Sequence, residues 1–171
     1  FKMMYDGGLI YRDYRVVNWD PKGQTTISDD EIVYVENKGT LYTFKYSKDF
    51  PISISTTRPE TKVGDTAVAV HPGDKRYKKY VGKEYDLEFA GEKIHIKIVA
   101  DEAVDLKFGT GALGVTPAHS VTDADMAVRH DLPMVQIIDE SAHMMDAAGS
   151  LVAGMSVRDA RASVVAWLKE N

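Results

Sequence analysis

Residues 92 to 100, EKIHIKIVA, constrain the fold most. Ile94, Ile96 and Ile98 point one way, and His95 and Lys97 the other. A period of two matches a strand with one buried face and is incompatible with a helix. The same signal recurs in shorter runs. YRVVNWDPKG reads as a strand entering a turn at Asp20-Pro21-Lys22-Gly23. EIVYVENKGTLYTFKY holds two β-rich runs around Asn37-Lys38-Gly39, where Gly39 is expected to close a hairpin. Within it, Tyr42, Phe44 and Tyr46 share one aromatic face. FPISISTTRPET is a strand stopped by Pro59, and DTAVAVHPGD is a strand apolar enough to be buried on both faces. PMVQIID reads as a further strand.

Helical signals are fewer. MMYDGGLIYR begins as a short helix broken at Gly7-Gly8. DKRYKKYVGK is expected to form a helix from about Asp74, and TDADMAVRHDL one with Thr122 as its N-cap. In SVRDARASVVAWLKEN, Val157, Ala160, Val164, Ala166, Trp167 and Leu168 make an apolar stripe at helical spacing. Besides that short N-terminal remnant, the total is about eight short strands and three helices, with no sustained strand–helix–strand alternation. The expected fold is mainly β with peripheral helices (α+β), around a closed or nearly closed β-barrel. No linker or repeat divides the chain, so residues 1–171 are expected to form one domain.

Bulk properties exclude several function classes. The net charge is −5, so a protein-wide basic field for nucleic acid is absent, although a local contact to one end of an RNA is not. There is no cysteine, which excludes disulfides and thiolate metal sites and fits a reducing, cytoplasmic setting. No apolar run approaches the roughly 20 residues of a membrane span. Asp6, Arg12 and Asp13 interrupt the N-terminus, which is not a signal peptide. The chain starts at Phe1 rather than Met, which points to a segment of something longer.

The stretch FGTGALGVTPAHSVTDAD, residues 108 to 125, has the content of a binding loop. Gly109, Gly111 and Gly114 match the spacing of a dinucleotide loop, but VTPAH follows where a helix should open. A phosphate loop would need Lys where Val115 stands. The five histidines, at 71, 95, 119, 130 and 143, are too scattered for a ligand set, and no metal is expected. Ser120 adjoins His119, but no nucleophile elbow surrounds it. STTRPET, residues 55 to 61, is a second Thr-rich strand end. If the two strands are neighbours, their ends would line one small polar pocket. That pocket suits a ligand carrying an ammonium and a hydroxyl.

VVNWDPKGQTTISDDE, STTRPETKVGDTAVAVHPGDKRYKKYVGK and FGTGALGVTPAHSVTDADMAVRHDLP, in that order, resemble the editing (CP1) domain of the valyl-tRNA synthetases. The isoleucyl and leucyl enzymes share the Thr-rich motif and a related loop. The resemblance runs from about residue 5 to the C-terminus, while the HIGH and KMSKS signatures of a class I catalytic core are absent. It implies a barrel-cored editing domain, with 1–20 and 156–171 flanking it toward the rest of the synthetase. It implies a hydrolase, without cofactor, acting on the 3′ end of tRNA(Val) mischarged with threonine, within a monomeric enzyme. Valyl enzymes are the standing illustration of the need: an apolar pocket for valine rejects isosteric threonine by only about 10²-fold.

Carried over residue by residue, Asp123 falls on the aspartate that holds the α-amino group. Thr56, Thr57 and Arg58 fall on the Thr-rich motif that lines the pocket and contacts the terminal adenosine, and Thr61 closes it. Thr116 matches a pocket threonine, and His119 belongs to the same loop. Asp123, Thr116 and Thr57 are therefore the expected catalytic residues, with attack by water and no covalent intermediate. Two positions depart from the family: Gly114 stands where valyl enzymes commonly carry Lys, and Ser120 where they commonly carry Asp. These departures leave open a non-catalytic tRNA-binding module with a degenerate pocket, and isoleucyl- or leucyl-type specificity is a further alternative. Lys75, Arg76, Lys78 and Lys79 are the candidates for phosphate contact, although the same cluster also reads as a solvated helix face.

Overall fold

The computed structural model describes residues 1–171. Its strands are β1 (Asn18–Asp20), β2 (Thr25–Ile27), β3 (Tyr42–Phe44), β4 (Ile54–Thr56), β5 (Ala67–Val70), β6 (Glu84–Phe89), β7 (Glu92–Ala100) and β8 (Ala112–Val115). The helices are α1 (Lys2–Asp6), α2 (Val121–His130) and α3 (Val157–Glu170). The alternating segment at 92–100 is the long strand of a four-stranded sheet ordered β6-β7-β5-β8. β6 and β7 form a hairpin in which Phe89 faces Glu92. Ala90 (φ 52°) and Gly91 (φ 83°) connect them, the two positive values that a tight primed turn requires. β5 runs parallel to β7, with Val68 opposite Ile98, and antiparallel to β8, with Val68 opposite Gly114.

The all-apolar β5 is buried on both faces, as its sequence requires. Val68 and Val70 join Ile94, Ile96 and Ile98 in the main core. Ala67 and Ala69 face a second cluster that contains Met126 and Ala127 of α2. The main core is closed by aromatic rings. Phe89 stacks on Phe44 at 5.5 Å and meets Tyr46 and Trp167 edge-on, each at 5.3 Å. Each such pair adds about 0.5–1.5 kcal/mol beyond the area it buries. Trp167 comes from α3, which also buries Ala160 and Val164, so the C-terminal helix packs on the core.

The closed barrel is not formed. The sheets are open, and the architecture is mixed α and β. β3 pairs only with β4 and β1 only with β2, each over three residues, and neither pair extends the edges at β6 or β8. Strands this short cannot supply the continuous ladder that closure demands. β4 instead lies close to β8 without pairing with it.

Three local expectations also fail. Residues 32–41 form no strand, and Val33, Tyr34 and Val35 are 82%, 90% and 71% exposed, so Gly39 closes no hairpin. β-propensity makes a strand only where a partner and a core receive it. The basic segment after Asp74 is not a helix; it turns on the Asp74 carboxylate, which accepts from Arg76 N, and holds one 3₁₀ turn at Lys78–Tyr80. The stretch 133–139 makes only an isolated bridge, Ile138 to Met144.

Candidate functional site

β4 delivers Ser55 and Thr56 to a turn that continues as a 3₁₀ segment, Pro59–Gly64. The threonines of this motif build the turn itself. Thr56 Oγ1 accepts from Arg58 N at 3.0 Å, and Thr61 Oγ1 donates to Arg58 O at 2.9 Å. Thr57 and Arg58 are left exposed. Arg58 Nη1 then donates 3.0 Å to His119 O, which joins the Thr-rich turn to the loop sixty-one residues later. His119 Nε2 accepts from Ile137 N at 2.9 Å, so this ring is neutral and serves the backbone. Burial, then the nearby Arg58 charge, lower its pKa to about 4.

Glu60, with no solvent exposure, sits beneath this turn. Arg161 of α3 grips it in bidentate fashion, Nη2 to Oε1 at 2.7 Å and Nε to Oε2 at 2.8 Å.

A second, fully interior network lies behind the loop. Lys62 Nζ donates to Asp65 Oδ1 (2.9 Å), Gly114 O (2.8 Å) and Thr116 Oγ1 (2.9 Å). Thr116 Oγ1 donates to Asp65 Oδ1, and Tyr46 Oη donates to Asp65 Oδ2. Lys62, Asp65, Thr116 and Tyr46 are each at most 3% exposed. Burial pushes the Asp65 carboxyl up, opposed by the Lys62 charge and by the hydrogen bonds. Burial and the Asp65 charge raise the Tyr46 hydroxyl well above its ordinary value.

Asp123 sits in the first turn of α2, where the helix dipole favours a carboxylate. Its Oδ2 accepts from Thr116 N at 2.8 Å, while Oδ1 accepts no hydrogen bond within the protein. The N-cap is Ser120, not Thr122: Ser120 Oγ accepts from Asp123 N at 3.3 Å, and Thr122 is exposed. A serine at 120 therefore starts the helix that carries Asp123.

The β4–β8 contact and the Arg58–His119 bond bring the two motifs together, and the Thr116–Asp123 bond ties the second to α2, with the residues at different depths. Thr57 and Arg58 line a polar cavity of about 380 Å³ with Lys38, Thr40, Tyr42 and Arg161. Arg58 and His119 also line a cleft of about 880 Å³ beside Trp19 and Gln136. Thr56, Thr61, Gly114, Thr116 and Asp123 line neither. Arg76 is committed to Asp74, with Nη2 at 2.6 Å from Oδ2, and the Lys79 ammonium lies 4.9 Å over the Tyr80 ring. Lys75 and Lys78 are exposed and make no ion pair. No group of three or more His, Asp or Glu side chains could hold a metal ion.

Lys62, Asp65, Tyr46, Glu60 and Arg161 were not singled out by motif reading. A signal existed in TKVGD: two charges three residues apart beside an all-apolar strand must satisfy each other if they are buried.

Residues 1–156 match the family model described as tRNA synthetases class I (I, L, M and V). Over its whole length the chain is 47% identical to the valine–tRNA ligase of Thermotoga maritima, spanning 20% of that protein. It is 44% identical to those of Carboxydothermus hydrogenoformans and Staphylococcus aureus, over 99% and 100% of the chain. The chain thus spans about a fifth of the length of these relatives. Among solved structures, 99% of the chain aligns with 30% of a LeuRS from Agrobacterium radiobacter K84, solved as a ternary complex with tRNA and LeuAMS. The TM-score is 0.52 at 20% identity, a likeness of fold. No helix is long and apolar enough to cross a membrane.

Proposed function

Since the chain belongs to the class I tRNA synthetases (I, L, M and V), we propose that it is the editing module of a valine-specific member. On this reading it hydrolyses the ester of threonine mischarged onto tRNA(Val). The observation that carries the reading is Asp123. One carboxylate oxygen is locked by the Thr116 amide and the other is unengaged, beside two motifs pinned together by Arg58 and His119.

The chemistry follows from these roles. Asp123 Oδ1 receives the α-ammonium of the aminoacyl group, a charge-assisted contact that fixes the ester carbonyl. Thr57 and Arg58, which line one cavity with Lys38 and Arg161, take the polar and anionic 3′ end of the tRNA. Water attacks the ester carbonyl and the tetrahedral species collapses to free threonine and the ribose hydroxyl. Selection against valine rests on polar groups that only threonine's hydroxyl can satisfy; leaving such a group unpaired costs about 1–3 kcal/mol. Residues 1–20 and 156–171 are assigned to the flanks of the module, toward the remaining synthetase chain.

The two departures fit a working pocket. Ser120 caps α2, and Gly114 leaves room for Asp65 and Tyr46. The test is single-turnover deacylation of Thr-tRNA(Val) and Val-tRNA(Val) by the full-length protein carrying this segment. Rapid release of threonine with valine retained is expected. Equal, slow release of both would reject editing and favour a non-catalytic module.

A further inference from the structure

Lys62 is the most deeply placed cation in the structure, and neither the motifs nor the proposed chemistry uses it. Its side chain is 4% exposed, and each of its three N–H donors has an oxygen acceptor. It therefore has no donor left for a ligand. Two of the acceptors, Gly114 O and Thr116 Oγ1, bracket the end of β8, where the chain turns toward Asp123. The third, Asp65, also accepts from Thr116 Oγ1 and Tyr46. The Thr116 hydroxyl is thus committed as donor to Asp65 and as acceptor to Lys62, while its backbone N–H holds Asp123 Oδ2.

Gly114 completes the arrangement. A Cβ at 114 would sit 2.5 Å from Tyr46 Oη and 3.1 Å from Ile54 Cδ1, and against Asp65 Oδ2 as well. A side chain from 114 would thus begin at the carboxylate that Lys62 neutralises. The space in front of residue 114 is filled by the Asp65 carboxylate and the Tyr46 hydroxyl, and the Lys62 ammonium binds that carboxylate and the Gly114 carbonyl.

We propose that Lys62 is the positioning residue of this pocket, its ammonium holding Asp65 and Thr116 so that the Thr116 amide orients Asp123. The proposal rests on the editing reading for its catalytic consequence but not for its geometry. It makes Gly114 part of an intact pocket rather than the scar of a lost one.

The test uses two variants of the full-length protein. Lys62→Met leaves Asp65 buried without its cation, so a fall in melting temperature of roughly 10 °C is expected. Lys62→Met/Asp65→Asn removes both charges and is expected to regain most of that loss. Deacylation of Thr-tRNA(Val) by this stable variant should nonetheless stay about 10²-fold slow, the scale of a displacement near 1 Å in a catalytic group. Its Thr116 amide, followed by hydrogen exchange in peptides spanning 112–123, should exchange about tenfold faster. If Lys62→Met/Asp65→Asn keeps full turnover and full protection, Lys62 only fills space and the proposal is overturned. If the unmodified protein fails to deacylate Thr-tRNA(Val), the editing reading falls, and amide exchange alone decides the role of Lys62.

Discussion

The amide of Thr116 donates to Asp123 Oδ2 across 2.8 Å, and this bond selects which carboxylate oxygen is left free. Asp123→Ala removes both the anchor and the free oxygen. A charge-assisted contact of about 1.5–3 kcal/mol corresponds to roughly a 10- to 10²-fold loss in deacylation rate. Aminoacylation by the same full-length protein should be untouched. Unaltered deacylation in this variant would remove Asp123 from the mechanism.

Arg161 and Glu60, 101 residues apart, form the tie between α3 and the Thr-rich turn. Arg161→Met leaves the buried Glu60 carboxylate with no cation nearer than Arg58 Nε, 3.8 Å from Oε1. Breaking a buried pair from one side costs about 3–5 kcal/mol. The lower end is expected, because the Arg161 side chain is 41% exposed and water can follow its removal. Urea unfolding should register the loss, and adding Glu60→Gln should restore most of it. A midpoint unmoved by Arg161→Met would show that the tie contributes nothing.

His119 gives the fold an acid-sensitive element. Its folded pKa is lowered to about 4, mainly by burial, from the ordinary 6.5. Between these values the unfolded chain binds the extra proton and the folded one does not. The stabilisation is therefore complete above about pH 6.5 and is lost as the pH falls toward 4. Melting temperatures measured across pH 4–7 should fall less steeply in His119→Gln than in the unmodified protein. Parallel curves would contradict the assignment.

The basic surface near residue 78 allows a sharper expectation than its composition does. Arg76 is engaged by Asp74, and Lys79 lies over Tyr80, which leaves Lys75 and Lys78 as the free cations. If both meet phosphates at a single-stranded tRNA end, Lys75→Gln/Lys78→Gln should lower the slope of log K against log salt by about 0.7 per lost contact. An unchanged slope would assign the cluster to solvent, while Arg76→Gln should act mainly on stability.

Much was legible in the sequence because it is written in local periods. The alternation of Ile94, Ile96 and Ile98, the two-sided burial of 67–70 and, apart from the exposed Ala166, the stripe on 157–170 all stand in the structure. The proximity of the Thr-rich turn and the TPAH loop was legible as a conditional, and Arg58 to His119 meets the condition. EIVYVE and PMVQIID carry the same local preferences yet form no ladder. Exposed Val33, Tyr34 and Val35 have no partner strand, and the backbone at Ile137 is satisfied by His119.

The sequence by itself determined the family, the short-strand character and the residues available for a polar pocket, since these depend on neighbours along the chain. Only the tertiary structure decided that the sheet stays open, because closure depends on distant edges meeting and those of β6 and β8 gain no strand. It alone matched Lys62 with Gly114, Tyr46 with Asp65 and Glu60 with Arg161. Buried charges must be paired at close range whatever their separation in sequence. No local pattern specifies which distant residue will do it.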